Sequence, residues 1–346
     1  MTPNTPNATD GVAPAAPSPT AAADGSDTST SQSTWGRRLR VRAPEQAALA
    51  LVLVALVVYF SLSSPYFLST ANFLNILTAI AVTGIIAVPG TMLLVSGQFD
   101  LSVGSGAAFC GVVLALVAAD HGLAAGVVAA VAAGLGIGLL NGVLVTGIGI
   151  NALITTLGTL AVFRGATQLL ADGQTVMLTG FSALGTSRPF GIPLPVLIFL
   201  AVVAVTAFVM RYTVYGRSLY AIGANPSAAR LVGIRGRLVV LSAFAFSGLA
   251  FALAGLILTS QLSAASPTAA TGLELSVITA IVLGGASLSG GRGTVAGTAL
   301  GLVVIGVLNN GLTLMNISSF WQDVARGTLL ILAVSFDRLR AHLSAD

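Results

Sequence analysis

RYTVYGRSLYAIGANPSAARLVGIRGR, from Arg211 to Arg237, is the longest charged interruption in a chain that is otherwise largely hydrocarbon. It carries Arg211, Arg217, Arg230, Arg235 and Arg237 and no acidic residue. An arginine-rich loop between two apolar runs is retained on the cytoplasmic side of a membrane. Inside it, Asn225 followed by Pro226 reads as an N-cap with proline at the first helical position, and Gly233 as a C-cap. The spacing predicts a short helix of about two turns. Such a helix either docks a soluble partner or merely ties two membrane helices together, and these residues alone leave both readings open.

Composition sets the class around that loop. Of 346 residues, 55% are hydrophobic, only 8% are charged, and 40 are glycine. A soluble domain of this length could not clothe its surface with so few charges, so the chain is all-α and crosses a membrane several times. All 15 basic residues are arginine. They flank apolar runs, which topology explains without nucleic acid. Cys110, the single cysteine, allows no intrachain disulfide, and His121 and His342 are too far apart in sequence to suggest a metal site. No cofactor is expected.

Residues 1–42 read as a disordered cytoplasmic tail ending in the basic cluster Arg37, Arg38, Arg40 and Arg42, because Met1 to Thr34 holds no aromatic residue. A basic cluster before the first apolar run pins the N-terminus inside and is no secretory signal. Residues 43–338 form the transmembrane domain and 339–346 a second cytoplasmic tail. About ten apolar runs are long enough to be spans: Ala47–Leu62, Phe73–Val95, Leu101–Ala119, Leu123–Ile148, Ala152–Leu170, Leu194–Met210, Leu238–Leu262, Leu275–Ala286, Thr294–Leu314 and Val324–Phe336. The eighth is short enough to be broken or re-entrant. With both termini cytoplasmic, twelve arginines lie inside and only Arg188 outside, Arg164 and Arg326 falling within spans.

Sliding the chain against itself exposes a repeat. Asn141-Gly142 matches Asn310-Gly311, and Gly158-Thr159-Leu160 matches Gly327-Thr328-Leu329, both at an offset of 169. DLSV at Asp100 answers ELSV at Glu274. Spans two to five thus resemble spans seven to ten. Five is odd, so the copies lie in opposite orientations, an inverted-topology repeat of the kind transporters use.

Polar residues in the apolar region are the candidates for a pathway or gate: Asp100, Asn141, Asn309, Asn310 and Glu274. Asp100 reads as an N-cap for span three, with Glu274 doing the same on the opposite face, both near span ends. The buried amides are either interhelical glue or partners for passing hydroxyls. Asp323 and Arg326, three apart, can pair on one helix face. Pro89-Gly90 interrupts span two. Gly134, Gly138 and Gly142, and Gly293, Gly297 and Gly301, form stripes that permit close helix approach. No nucleophile–base set appears, and the glycine cluster Gly284 to Thr294 lacks the lysine of a Walker A loop, so the chain has no catalytic site.

Four stretches then carry a resemblance: GQFDLSVGS at Gly97–Ser105, NALITTLGTLAVFRG at Asn151–Gly165, AIGANPSAARLVGI at Ala221–Ile234 and VLGGASLSGGRGTVAGT at Val282–Thr298. Together they resemble the permease subunits of bacterial ABC importers for ribose, xylose, galactose and related sugars, in the broader group that includes branched-chain amino acid permeases. Gln98 departs from the family's more usual second glycine. The resemblance implies a multi-pass permease of the bacterial cell inner membrane, surrounded by lipid, that pairs with a second permease subunit as a homodimer or closely related heterodimer. An ABC ATP-binding subunit would dock on the cytoplasmic loop and an extracytoplasmic sugar-binding protein would deliver substrate. Asn225, Pro226, Ala229, Arg230 and Gly233 correspond to the family's coupling helix. The rival readings are an ion-coupled secondary transporter and an ABC permease for branched-chain amino acids or nucleosides.

Overall fold

The computed structural model describes residues 45–343. The tail expected over residues 1–42, with its arginine cluster, lies outside the described residues. Thirteen α-helices follow in order: α1 (Glu45–Ser63), α2 (Thr70–Val95), α3 (Val103–His121), α4 (Leu123–Val143), α5 (Ala152–Leu170), α6 (Ala183–Thr186), α7 (Leu194–Tyr212), α8 (Val214–Ala224), α9 (Pro226–Leu231), α10 (Gly236–Leu262), α11 (Leu273–Leu283), α12 (Val295–Leu314) and α13 (Ser319–Leu343). A π-turn, Leu144–Ile148, prolongs α4. Two-residue strands β1 (Val176–Met177) and β2 (Ala264–Ala265) pair antiparallel.

Every expected apolar run becomes a helix, but not every helix is long enough to be a span by itself. Seven, namely α2, α3, α4 with its π-turn, α5, α7, α10 and α12, are long and apolar enough to cross a membrane. The apolar parts of α1 and α11 are shorter. With 11 residues, α11 rises only about 16 Å, roughly half the hydrocarbon thickness. Its other half is made up by the segment 263–272, which runs back along α3: Ala265 lies beside Gly111, and Ala270 beside Gly104.

Packing follows the pairing that the repeat requires. Helix α3 packs on α4, α5 and α10, while α11 packs on α12, α13 and α2. Helix α10 packs on α4 as α2 packs on α12, and α2 and α10 pack on each other at the centre. Burial grades outward accordingly, with 72% of the central α2 window and 67% of that of α10 enclosed, against 22% for α5. The large apolar residues left exposed on α1, α5 and α7, such as Val54, Ile154 and Val205, are those a lipid surface would cover.

Glycine makes the closest crossings. Gly138 of α4 and Gly248 of α10 lie backbone to backbone, so a side chain on either would meet the other helix. Gly297 and Gly301 of α12 do the same against Gly284 and Ala280 on the α11 side. Both stripes therefore close contacts within the subunit. Pro89 does not interrupt its helix, contrary to expectation: α2 runs unbroken from Thr70 to Val95. The proline removes one backbone donor, yet its surroundings are fully buried, and Thr91 ties the region to Thr298 of α12 through hydroxyls 2.8 Å apart.

Candidate functional site

The short loop helix α9 forms where its caps place it. Asn225 Oδ1 accepts from the Ala228 N–H at 3.0 Å, and Pro226 occupies the first helical position. At the other end Gly233 adopts φ 82°. There the Ile234 N–H donates to the Ala229 carbonyl at 3.1 Å and the Gly233 N–H to that of Arg230 at 3.0 Å, a Schellman closure. Ala229 is buried, whereas Arg230, Leu231 and Val232 are exposed. One cation and one bulky apolar group on the last turn of α9, with Val232 at its C-cap, leave an exposed mixed surface there.

The loop holds a second helix that the sequence reading missed, α8. Thr213 caps it by accepting from the Gly216 N–H at 3.1 Å, and Leu219 and Ile222 are buried. The signal was available in the threonine cap and the i, i+3 spacing of those two residues. Helix α8 reaches two other segments. Gly223 abuts the Val95 carbonyl and Gly291, Tyr220 donates to the Gly293 carbonyl at 2.8 Å, and the Gly291 N–H donates to Val95 at 2.8 Å. Arg292 therefore lies at the same end of the molecule as the five loop arginines. Tyr215 bridges α8 to α10, donating to the Val239 carbonyl at 3.2 Å and accepting from Ser242 at 3.1 Å.

Asp100 does not cap α3 as expected. The N-cap is Ser102, and its hydroxyl and N–H both donate to Asp100 Oδ1, at 2.6 and 3.0 Å. Ser247 of α10 donates to Oδ2 at 2.8 Å, and Asn141 Nδ2 of α4 donates to the Ser102 hydroxyl at 2.9 Å. The carboxylate thus ties three helices together. It lies, as expected, between the end of α2 and the start of α3, yet its partner Ser247 is about 16 Å along α10 at 1.5 Å per residue. Asn141 Oδ1 is buried without a partner.

Glu274 sits in the first turn of α11, where Oε1 accepts from the Gly272 N–H at 3.3 Å, while Oε2 is buried, unpartnered, against Gly104. The expected pair forms, Arg326 Nη1 donating to Asp323 at 3.1 Å. Arg164 of α5 donates to the carbonyls of Pro267 and Ala269 at 3.3 and 3.0 Å, holding the 263–272 segment. Asn310 exchanges two hydrogen bonds with Asn72, of 2.9 and 2.8 Å, which join α12 to the start of α2. Asn309 Oδ1 is buried and unpartnered. The five polar candidates are therefore not one cluster: Asp100 and Asn141 share a network, while Glu274, Asn309 and Asn310 stand apart from it.

A feature the sequence reading did not find is a cavity of about 600 Å³ between α2 and α10, at the end opposite the docking loop. Asn75, Thr78 and Thr83 of α2 face Gln261 of α10, with Arg188 among the lining residues and Leu258 and Val82 supplying apolar wall. Positions 75, 78 and 83 fall on one face of a helix, a polar stripe that was legible in an otherwise apolar run.

A family model described as "branched-chain amino acid transport system / permease component" matches residues 72–334. The chain is similar to the ribose import permease protein RbsC of Escherichia coli strain K12, with 38% identity over 318 residues, 89% of this chain and 98% of that protein. It is 39% identical over 306 residues to RbsC of Bacillus subtilis strain 168, covering 84% and 92%. It is 37% identical over 300 residues to the L-arabinose ABC transporter permease protein AraH of Azospirillum brasilense, covering 86% and 88%. No solved structure matches.

Proposed function

This chain belongs to the branched-chain amino acid transport system / permease component family, and from that premise we infer that it is the membrane-spanning subunit of an ABC importer and forms the path of a monosaccharide. ATP hydrolysis belongs to a separate subunit. The observation that carries the reading is the capped, exposed helix α9 with Arg230, Leu231 and Val232, joined through α8 to the end of α2, in a chain whose relatives are named for ribose and arabinose import. The loop end faces the cytoplasm, in accord with its arginines, and there the ATP-binding subunit docks on Asn225 to Gly233. An extracytoplasmic sugar-binding protein docks at the opposite end. Two copies pair in the bacterial plasma membrane, and displacement of α9 rocks the helices to open the path to one side and then the other.

The family's description also names branched-chain amino acids, and the cavity lining discriminates between the substrates. It holds one cation, Arg188, and no carboxylate, so it offers no charged partner for the ammonium of a zwitterion. Amides and hydroxyls suit a neutral polyol.

The test is co-reconstitution with the cognate ATP-binding subunit and binding protein in liposomes. D-Ribose or L-arabinose should stimulate ATP hydrolysis, and Arg230→Ala should abolish the stimulation. Stimulation by leucine alone would overturn the sugar reading, and solute movement by this chain alone along an ion gradient would overturn the importer reading.

A further inference from the structure

The side chains of Asn75, Thr83 and Gln261 make no hydrogen bond to another described residue, and all three line the α2–α10 cavity. Thr78 and Thr186 use their hydroxyl protons on the carbonyls of Leu74 and Ser182, at 2.7 and 2.8 Å, which leaves their oxygen lone pairs facing the space. Free amide and hydroxyl groups are costly against lipid, so this face must border water, solute or protein.

The stripe also has depth. From the start of α2, Asn75 is about 8 Å along the axis and Thr83 about 20 Å, the middle of a 26-residue helix about 39 Å long. Below Thr83 the path stops: Ile86, the next residue on the same face, is fully buried, and Ile85 to Val95 are enclosed apart from Gly90. The cavity is a blind well, open at the Arg188 end and sealed toward the docking loop. Its volume falls within the range of small-molecule sites. That leaves room for a sugar with several waters, at about 30 Å³ each.

We propose that this well is a transit site for a pentose-sized polyol, in which Asn75, Thr83 and Gln261 exchange hydrogen bonds with the sugar hydroxyls while Val82 and Leu258 border its carbon face. The proposal rests on the importer reading given above. An amide both donates and accepts, so two amides and a row of threonines match a ring of hydroxyls without fixing one stereoisomer. The site is one-sided, since Asn75 is exposed and no described residue closes over it; sugar therefore passes through without being held tightly.

Two measurements on the full importer complex test it. First, Cys110 is fully buried, so single-cysteine probes have a quiet background. Asn75→Cys and Thr83→Cys should react with a charged, membrane-impermeant methanethiosulfonate added from the binding-protein side, D-ribose should slow the reaction, and labelling should stop import. Leu200→Cys on the exposed face of α7 should stay unreactive. Second, Asn75→Ala and Gln261→Ala should each lower D-ribose import about fivefold, the equivalent of one neutral hydrogen bond, with the amount of assembled complex unchanged.

Labelling no faster than that of the α7 control, or labelled Asn75→Cys importing at the wild-type rate, overturns the proposal whether or not the alanine variants fold. Import unchanged in both alanine variants overturns the hydrogen-bonding role. Failure of the underlying reading is seen separately, in the wild-type protein: import of leucine and no sugar by the complex would sink the sugar reading, and solute movement by this chain alone along an ion gradient the importer reading, while the labelling arm still reported whether the well is the path.

Discussion

The hydroxyl of Tyr220 on α8 donates a 2.8 Å hydrogen bond to the carbonyl of Gly293, just before α12. This bond, with the backbone contacts of Gly223 on Val95 and Gly291, makes α8 a bracket between the docking helix and two of the central helices. On the proposed docking of the ATP-binding subunit, a push on α9 would reach α2 and α12 through packed backbone rather than through a flexible loop.

Tyr220→Phe removes that donor and leaves the ring in place. ATP hydrolysed per sugar imported should rise two- to fivefold, for a loss of about 1 kcal/mol at the joint. Burial pushes the phenol up from its ordinary 10.0. The bond is thus fully present below that value and is lost only as pH rises above it, so the coupling ratio should be flat across the neutral range. A wild-type ratio in Tyr220→Phe would show that α8 transmits nothing through this contact.

Gly233 holds φ 82° with open space around it, so Gly233→Ala meets no neighbour and costs only backbone strain, about 1 kcal/mol. Co-purification of the ATP-binding subunit should fall severalfold, with thermal stability lowered by no more than a few degrees. Gly233→Asn, which tolerates the left-handed region, should restore most of it.

Asp100 accepts three hydrogen bonds in the buried centre of the fold. Asp100→Ala strands the Ser102 N–H and the hydroxyls of Ser102 and Ser247, at about 1–3 kcal/mol for each donor left unsatisfied. Melting in detergent should drop by several degrees or more, and Asp100→Asn should recover part of the loss. An unchanged melting temperature for the alanine variant would remove Asp100 from the structural framework.

The reciprocal amides of Asn72 and Asn310 act as one unit. Asn72→Ala and Asn310→Ala should each destabilise the protein, and the double variant should lose less than the sum by about 0.6–1 kcal/mol. Strict additivity would show that the pair contributes no coupling.

Much was legible because its signals are local. The cap Asn225, the proline at 226 and the left-handed Gly233 act within a few residues of themselves, so α9 was readable to its ends. The Asp323–Arg326 pair, three residues apart on one helix, was readable for the same reason. The membrane class followed from solvation alone. Helix α8 was readable in principle and was missed because its cap, Thr213, stands at the end of an apolar run that reads as one continuous span.

What the sequence by itself determined is that this chain lives in a membrane, folds as helices in two related halves, and presents a capped basic helix beside arginine-flanked spans. Hydropathy, caps and repeats are properties of neighbours along the chain. Only the tertiary structure decided which faces meet. Helices α2 and α10 are apolar almost all round, so most of their residues carry no directional signal. Ser247 reaches Asp100 across 147 positions, Asn72 reaches Asn310 across 238, and Gln261 comes to face Asn75 and Thr83 only when the two central helices pack. The well between them is empty space, which no single stretch of sequence encodes, because its walls belong to segments far apart along the chain that meet only when the helices pack.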